Sequence, residues 1–272
     1  MDVIKRRTLI EEEVIRAGEV SFVALAERFD VSEMTIRRDI EALQATGVVR
    51  RVSGGAIALS GTAFEPSYGL RAGRAADSKA QIGQRIAALL HPGETVVLDS
   101  GSTVLAVAQA IRGLNLGLTV ITPSIGVATT LADEPGTQVL LTGGVVRPGE
   151  LSLIGSDAEL MMARYNCDTY VAGVAGVDAE RGLTEYHPQE ASVKEAAVRA
   201  SRRVIVGADE EKLGRVHLVN VAPLHAVAAL VTDAPSTHPI LEAAAARGVA
   251  VYTIALAAGA DISIQKLAGD SV

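Results

Sequence analysis

Aromatic residues make up only 3% of this 272-residue chain, so alanine, valine, leucine and isoleucine must fill its interior. A single cysteine, Cys167, excludes an internal disulfide framework and fits a reducing cytosol. No run reaches the ~18 uninterrupted apolar residues that a membrane-spanning helix needs. The Ala-rich segments are broken by Gly, Asp or Pro, and the N-terminus carries no apolar signal core, so we expect a cytoplasmic protein with no membrane partner. An excess of positive charge is also lacking. The net charge of -7 argues against a chain that coats nucleic acid indiscriminately. The five histidines show no zinc-like spacing with one another or with Cys167, and neither a metal nor a cofactor is expected.

Local placement is more informative than the totals. Residues 34–57 hold four arginines against two acids, within a first segment, 1–57, that has nine basic and ten acidic residues. From Ser32 to Ala56 the chain reads as a helix and a hairpin. Ser32 is a plausible helix N-cap and Gly47 a helix stop. Ile36, Ile40 and Leu43 recur at i, i+4 and i+7 and form the buried face. Met34, Arg38, Glu41 and Ala45 point away from it, with Thr35 and Arg37 on the flanks. Helices over about 3–17 and 22–29 precede this segment, and Asp30-Val31-Ser32 is a tight turn into it. Two short helices joined by such a turn form a helix-turn-helix. Val48–Val52, the Ser53-Gly54-Gly55 turn and Ala56–Leu59 then make a wing. Arg50 and Arg51 would lie near the phosphate backbone or minor groove. The bland alternative is a solvated helix face and an ordinary hairpin.

Residues 60–75 carry Gly, Ser and Pro without periodicity and read as a linker. A helix over 79–90 opens the remainder, 76–272. Apolar runs at 95–98, 118–122, 138–142, 169–175, 203–207, 226–232 and 249–254 alternate with helical stretches at 104–111, 125–131, 157–163, 189–200 and 239–247. That alternation predicts an α/β domain with a mostly parallel sheet covered on both faces. Ligands of such sheets gather at the carboxyl ends of the strands. There the sequence places Asp99, Ser100, Gly101, Ser102 and Thr103; Thr122 and Ser124; Gly143 and Gly144; Gly176 and Asp178; Glu190 and Lys194; and Lys212. Small hydroxyls, glycines and helix-start amides suit a small polar anion such as a phosphorylated sugar. Each also has a plainer reading: Asp178 as a turn cap, Glu190 and Lys194 as a surface i, i+4 pair, Lys212 as a solvated lysine.

Val31-Ser32-Glu33-Met34-Thr35-Ile36-Arg37-Arg38-Asp39-Ile40, followed by Arg50-Arg51-Val52-Ser53-Gly54-Gly55-Ala56, resembles the DNA-binding signature of the DeoR family of bacterial transcriptional repressors. The likeness continues in the family's order through 98–103, 120–124, 141–144, 173–178, 182–184, 190–194 and 208–215. It implies a winged helix-turn-helix at 1–59 and an effector domain at 76–272 similar to ribose-5-phosphate isomerases. That domain would sense a phosphorylated sugar or nucleoside intermediate. The chain departs from the pattern at Ser53, where the family commonly has histidine, at Pro123 in place of asparagine, and at Glu211 in place of serine. The resemblance implies a repressor that binds double-stranded operator DNA as a homodimer or homotetramer, on the nucleoid when bound. Arg38 and Thr35 would face bases, and Arg37, Arg50 and Arg51 phosphates. One rival reading is an aldose–ketose isomerase or hydrolase with Asp178 or Glu190 as general base, for which the N-terminal module would be superfluous. The other, prompted by Pro123 and Glu211, is a DNA-binding regulator whose sensor no longer binds a sugar phosphate.

Overall fold

The computed structural model describes residues 2–45, 47–59 and 61–254, with the backbone of 264–266. Ser60 of the expected linker, and residues 255–263 and 267–272 of the expected effector domain, lie outside the described residues. The chain divides into two compact units, Met1–Arg74 and Ala75–Val272.

The first unit comprises α1 (Val3–Ala17), β1 (Glu19–Ser21), α2 (Phe22–Phe29), α3 (Glu33–Ala45), β2 (Val49–Val52), β3 (Gly55–Ala58) and α4 (Tyr68–Gly73). Side-chain caps set where the helices begin, because the first amides of a helix have no partner within it. Asp2 accepts from Lys5 N, Ser21 from Ala24 N and Ser32 from Thr35 N. The apolar faces of α1, α2 and α3 close on one core containing Ile10, Val14, Phe22, Leu25, Ile36, Ile40 and Leu43. Val49 and Ala56 of the wing join the same core. The extended link 19–21 is a third wing strand: the sheet order is β1-β3-β2, antiparallel throughout.

Within the stretch expected to be a linker, residues 68–73 form α4. Its N-cap, Ser67, is held by Glu11 of α1, which accepts from Ser67 N at 2.7 Å and from the Ser67 hydroxyl. Arg71 pairs with Glu65 at 3.0 Å, and Leu70 is buried. A helix of six residues is too short to show a period, and a buried carboxylate on α1 supplies its anchor. Only Arg74 and Ala75 separate α4 from the next helix.

That helix is α5 (Ala76–Ala87), three residues earlier than its apolar pattern suggested. There follow β4 (Thr95–Leu98), α6 (Ser102–Ile111), β5 (Thr119–Thr122), α7 (Ile125–Leu131), β6 (Gln138–Leu141), β7 (Val145–Val146), β8 (Leu153–Ile154), α8 (Ser156–Met162) and β9 (Cys167–Gly173). After these come β10 (Gly176–Asp178), β11 (Gly182–Glu185), α9 (Pro188–Ala200), β12 (Ser201–Gly207), β13 (Val219–Ala222), β14 (Ala229–Thr232), α10 (Pro239–Ala245), β15 (Ala250–Ile254) and β16 (Ile264–Lys266).

The main sheet runs β16-β15-β14-β12-β9-β4-β5-β6, with parallel pairing everywhere except at β15–β16. Successive residues face opposite layers, which is why these strands read as continuous apolar runs. Val96, Leu98, Val171 and Ile205 pack with α5, α6 and α7. Val97, Tyr170, Ala172 and Val204 pack with α8, α9 and α10. Two small sheets, β10-β11-β13 and β7-β8, stand apart from the main one. The chain builds outward from β4 through β5 to β6, then returns to the other side of β4 with β9. The carboxyl ends of β4 and β9 are therefore the switch point where open α/β sheets form a crevice.

Candidate functional site

In the first unit, α3 presents its outward residues next to the wing. Ser32 caps α3 through Thr35 N at 3.2 Å, and its hydroxyl lies 3.0 Å from that of Thr35. Met34 is 59% exposed. The four arginines differ in how they are held. Arg37 stacks over the Phe22 ring at 4.6 Å and pairs with Glu33 at 3.4 Å. Arg51 reaches Glu41 at 2.7 Å and approaches the same ring from the wing. Arg38 and Arg50 are exposed, and their guanidinium groups make no ion pair among the described residues. Ser53 and Gly54 form the wing turn, with Gly54 at φ +81°. Gly55 is buried, and a Cβ there would collide with the Val20 carbonyl of β1.

A residue that periodicity passes over fixes this helix. Asp39 is 1% exposed and accepts from Arg6 at 2.7 Å and Arg7 at 2.9 Å, both on α1. Two cations offset the cost of burying its charge. The pairs clamp α3 to α1, and Arg38, the sequence neighbour of Asp39, faces outward.

At the switch point of the second unit, Asp99 follows β4 and is 2% exposed. Its Oδ2 accepts from Lys194 Nζ at 2.7 Å, the Tyr170 hydroxyl at 2.7 Å and Gly173 N at 3.0 Å. Lys194 also donates to Gly173 O at 3.0 Å and pairs with Glu185 at 3.4 Å. Burial alone would lower the lysine's pKa, but Asp99, Glu185 and Glu190 raise it above its ordinary value, so the ammonium is firmly charged. Glu190 accepts from the Ser152 hydroxyl at 2.5 Å and pairs with Arg147 at 3.2 Å. Burial opposes its ionisation, yet Lys194 and Arg147 hold its carboxyl below the usual range. Burial and the Asp99 charge push the Tyr170 phenol well above its ordinary pKa, so it remains a donor. Glu190 and Lys194 are thus a buried network, and their reading as a surface pair is corrected.

Beside this network α6 begins without a side-chain cap. Gly101 occupies its N-cap at φ +99°, a conformation that favours glycine, and Ser102 and Thr103 form the first turn. Gly173 lets β9 approach this loop, since a Cβ would lie 2.7 Å from Ser100 O. Thr103 is 2% exposed, and its hydroxyl has no hydrogen-bond partner among the described residues. A bare helix start with an unpaired hydroxyl is an arrangement that accepts an anion.

The remaining predicted residues separate. Thr122 Oγ1 accepts from Ser124 N at 3.0 Å, while Ser124 caps α7 through Val127 N. Their hydroxyls are spent on local structure. Gly143 and Gly144 are exposed, and Gly176 is buried against the Arg215 carbonyl. Asp178 accepts from Glu180 N and Arg181 N, which makes it a turn cap. Lys212 lies 3.8 Å from Asp209, which is 4.0 Å from the buried Lys79 of α5. Glu211 is exposed.

Residues 6–62 match the family model of the DeoR-like helix-turn-helix domain, and residues 74–234 match the DeoR C terminal sensor domain. The chain belongs to the DeoR family. Among its relatives, the HTH-type transcriptional regulator YgbI of Escherichia coli K12 is 34% identical over 85% of this chain and 89% of its own. The glycerol-3-phosphate regulon repressor of the same organism is 31% identical over 88% of this chain and 94% of its own. A solved structure, the probable sor operon regulator from Shigella flexneri, aligns at 15% identity over 61% of this chain and 88% of that one, with a TM-score of 0.41. Ribose 5-phosphate isomerase A from Methanocaldococcus jannaschii aligns at 15% over 51% and 54%, with a TM-score of 0.37.

As a DeoR-family member the chain is a DNA-binding transcriptional regulator with a small-molecule sensor domain, and the isomerase or hydrolase reading is set aside, since its relatives are regulators. Sequence reasoning missed Asp39, Lys79, Arg147, Ser152, Tyr170 and Glu185. Arg147 is the single charged residue between positions 138 and 149, a signal that could have marked it, whereas Lys79 has Arg74, Asp77 and Arg85 around it in sequence and does not stand out. Ser152, Tyr170 and Glu185 carry none, because only the fold brings them to Glu190, Asp99 and Lys194 respectively.

Proposed function

We propose that this protein is a repressor of sugar or nucleoside catabolism, released from or held on its operator by a phosphorylated sugar-like effector. The observation that carries the reading is the uncapped start of α6, with its buried, unpaired Thr103 hydroxyl, next to the charged Asp99–Lys194–Glu190 network at the switch point. The helix start suits the phosphate. The network holds an ammonium and carboxylates close by, the kinds of donor and acceptor with which sugar hydroxyls pair. The relative that carries glycerol-3-phosphate in its name supports a small phosphorylated polyol as the class.

In the first unit, Arg38 with Met34 and Thr35 would enter the major groove, where Arg to guanine is the commonest specific contact. Arg50 would hold a phosphate directly. Arg37 and Arg51 would do so by exchanging Glu33 and Glu41 for DNA, with Ser32, Ser53, Gly54 and Gly55 shaping the approach. A single head gives modest affinity, so we take the operator-bound form to be a homodimer or homotetramer in the cytoplasm, on the nucleoid. The test is a thermal-shift screen of the full chain against phosphorylated and unphosphorylated sugars and polyols, repeated as an operator gel shift with each hit. A phosphorylated hit that raises the melting temperature and changes operator affinity is expected. Hits confined to unphosphorylated compounds would overturn the phosphate assignment.

A further inference from the structure

The main sheet ends at β6, and this edge differs from the strands inside it. In β12 the last four residues are buried, and all of β14 is, but Gln138 and Leu141 of β6 are exposed and Val139 and Leu140 are half-buried. Gln138 N and Thr142 N both point to β5, donating to Leu118 O and Thr122 O. Strand alternation therefore turns the N–H and C=O groups of Val139 and Leu141 outward. Edge strands are normally protected by a lysine, a proline, a bulge or a covering element. β6 has no charge and no proline, and residues 138–146 are uncharged altogether.

Exposed apolar side chains continue from this edge. Leu141, Val145, Val146, Leu151 and Leu160 are each at least 43% exposed. The elements that carry them adjoin: β7 pairs with β8, and Gly143 and Gly144 lie against Asp157 and Ala158 of α8, the helix that carries Leu160. A patch of this kind marks an interaction site.

We propose that the β6 edge and the β7–β8 hairpin dock a second copy of this chain about a two-fold axis. An outward-facing strand is its own complement in antiparallel pairing. An axis through Leu140 sets Val139 of one copy opposite Leu141 of the other, and each such pair exchanges both N–H···O bonds. Charge permits this contact: each chain has a net charge of -7, but the run 138–146 holds no charged residue, so the two edges meet without setting like charges opposite each other. The inference rests on the operator-binding reading only in asking for two heads.

The hairpin also connects this surface to the sensor. Leu151 faces outward, while Arg147 and Ser152 of the same loop bind Glu190 inside. An effector that competes for Glu190 would therefore act on the dimer.

Sedimentation of the full-length protein tests the proposal. Wild type should sediment as a dimer or larger, and Val145→Glu with Leu160→Glu as a smaller species. Leu114→Glu, at an exposed apolar residue elsewhere, should retain the wild-type mass. A monomeric wild type, or a double variant with the wild-type mass, overturns the proposal. If circular dichroism shows the double variant unfolded, hydrogen exchange on wild type decides. The Val139 and Leu141 amides should exchange more slowly as concentration rises, and concentration-independent exchange overturns the interface. A folded, monomeric double variant that still binds one half-site and still shows the sugar-phosphate thermal shift leaves the functional reading untouched. Loss of both in wild type would refute that reading and not the interface.

Discussion

Lys194→Met removes a cation that faces both Asp99 and Glu185, while nearly preserving the volume of the side chain. Lys194 is 4% exposed and Asp99 2%, so water cannot replace the lost partner. Breaking a buried pair by deleting one side costs about 3–5 kcal/mol, because the charge left behind is uncompensated. Asp99 retains Tyr170, Gly173 N and Ser100 N, which favours the lower half of that range. At ~2–4 °C per kcal/mol for a domain of this size, the sensor should melt on the order of 10 °C lower. The pKa of Lys194 is raised by folding. Its stabilising contribution is then complete below the unfolded-state pKa and is lost only as pH rises through the folded one. The difference between wild type and variant should accordingly be flat from about pH 6 to about pH 8. Calorimetry of the full chain across that window measures it. Adding Asp99→Asn tests the cause: the double variant should be more stable than the sum of the singles by about 1–3 kcal/mol, since the stranded carboxylate is gone. A K194M melting point within ~2 °C of wild type, or strict additivity, would refute the claim that charge compensation holds this site together.

Arg38→Ala should leave the head's melting temperature unchanged, because its guanidinium has no ion-pair partner among the described residues, and should relax operator preference at one position by about 1–3 kcal/mol. Selection from a randomised operator library reads this out, and retained specificity would exclude Arg38 from the groove. Arg37→Ala, by contrast, should lose stability as well as affinity, since it strips the Phe22 ring of its stacked cation. Thr103→Val should stabilise the sensor by about 1–3 kcal/mol, by removing a buried unpaired hydroxyl, while abolishing the thermal shift with a sugar phosphate. An unchanged shift would take Thr103 out of the anion site. Glu11 has a pKa raised mainly by burial, against the pull of its bonds from Ser67. Its contribution favours the fold at low pH and is lost as pH rises through the folded value. Glu11→Gln should therefore flatten head stability between about pH 4.5 and pH 7, as followed by denaturant titration at several pH values.

What the sequence made legible was whatever a single element decides by itself. The helices of the winged head show in the period of Ile36, Ile40 and Leu43, and β4, β5 and β9 in their apolar runs, because burial on one or both faces imposes those patterns locally. The wing turn shows in its glycines. Elements held by one long-range partner were not legible. α4 exists because Glu11 binds the cap of a helix 56 residues away, and β10, β11 and β13 are three or four residues long and form a small sheet of their own.

The two sites divide along the same line. Outward residues of α3 could be named from their angle on the helix, but which arginine is free could not. Glu33 and Glu41 engage Arg37 and Arg51, and Asp39 engages two arginines of α1. In the sensor, Asp99, Glu190 and Lys194 were named for an anion pocket from loop position, but what they do depends on residues brought in from elsewhere. Lys194 is charged because three carboxylates surround it, and Glu190 is ionised because Arg147 and Lys194 face it. Neither group could hold its charge at that depth alone. The charge state of the pocket is therefore a property of the folded sheet. A ligand that displaces Arg147 or Ser152 from Glu190 changes the balance of the whole network, and so has an energetic lever on the fold around it.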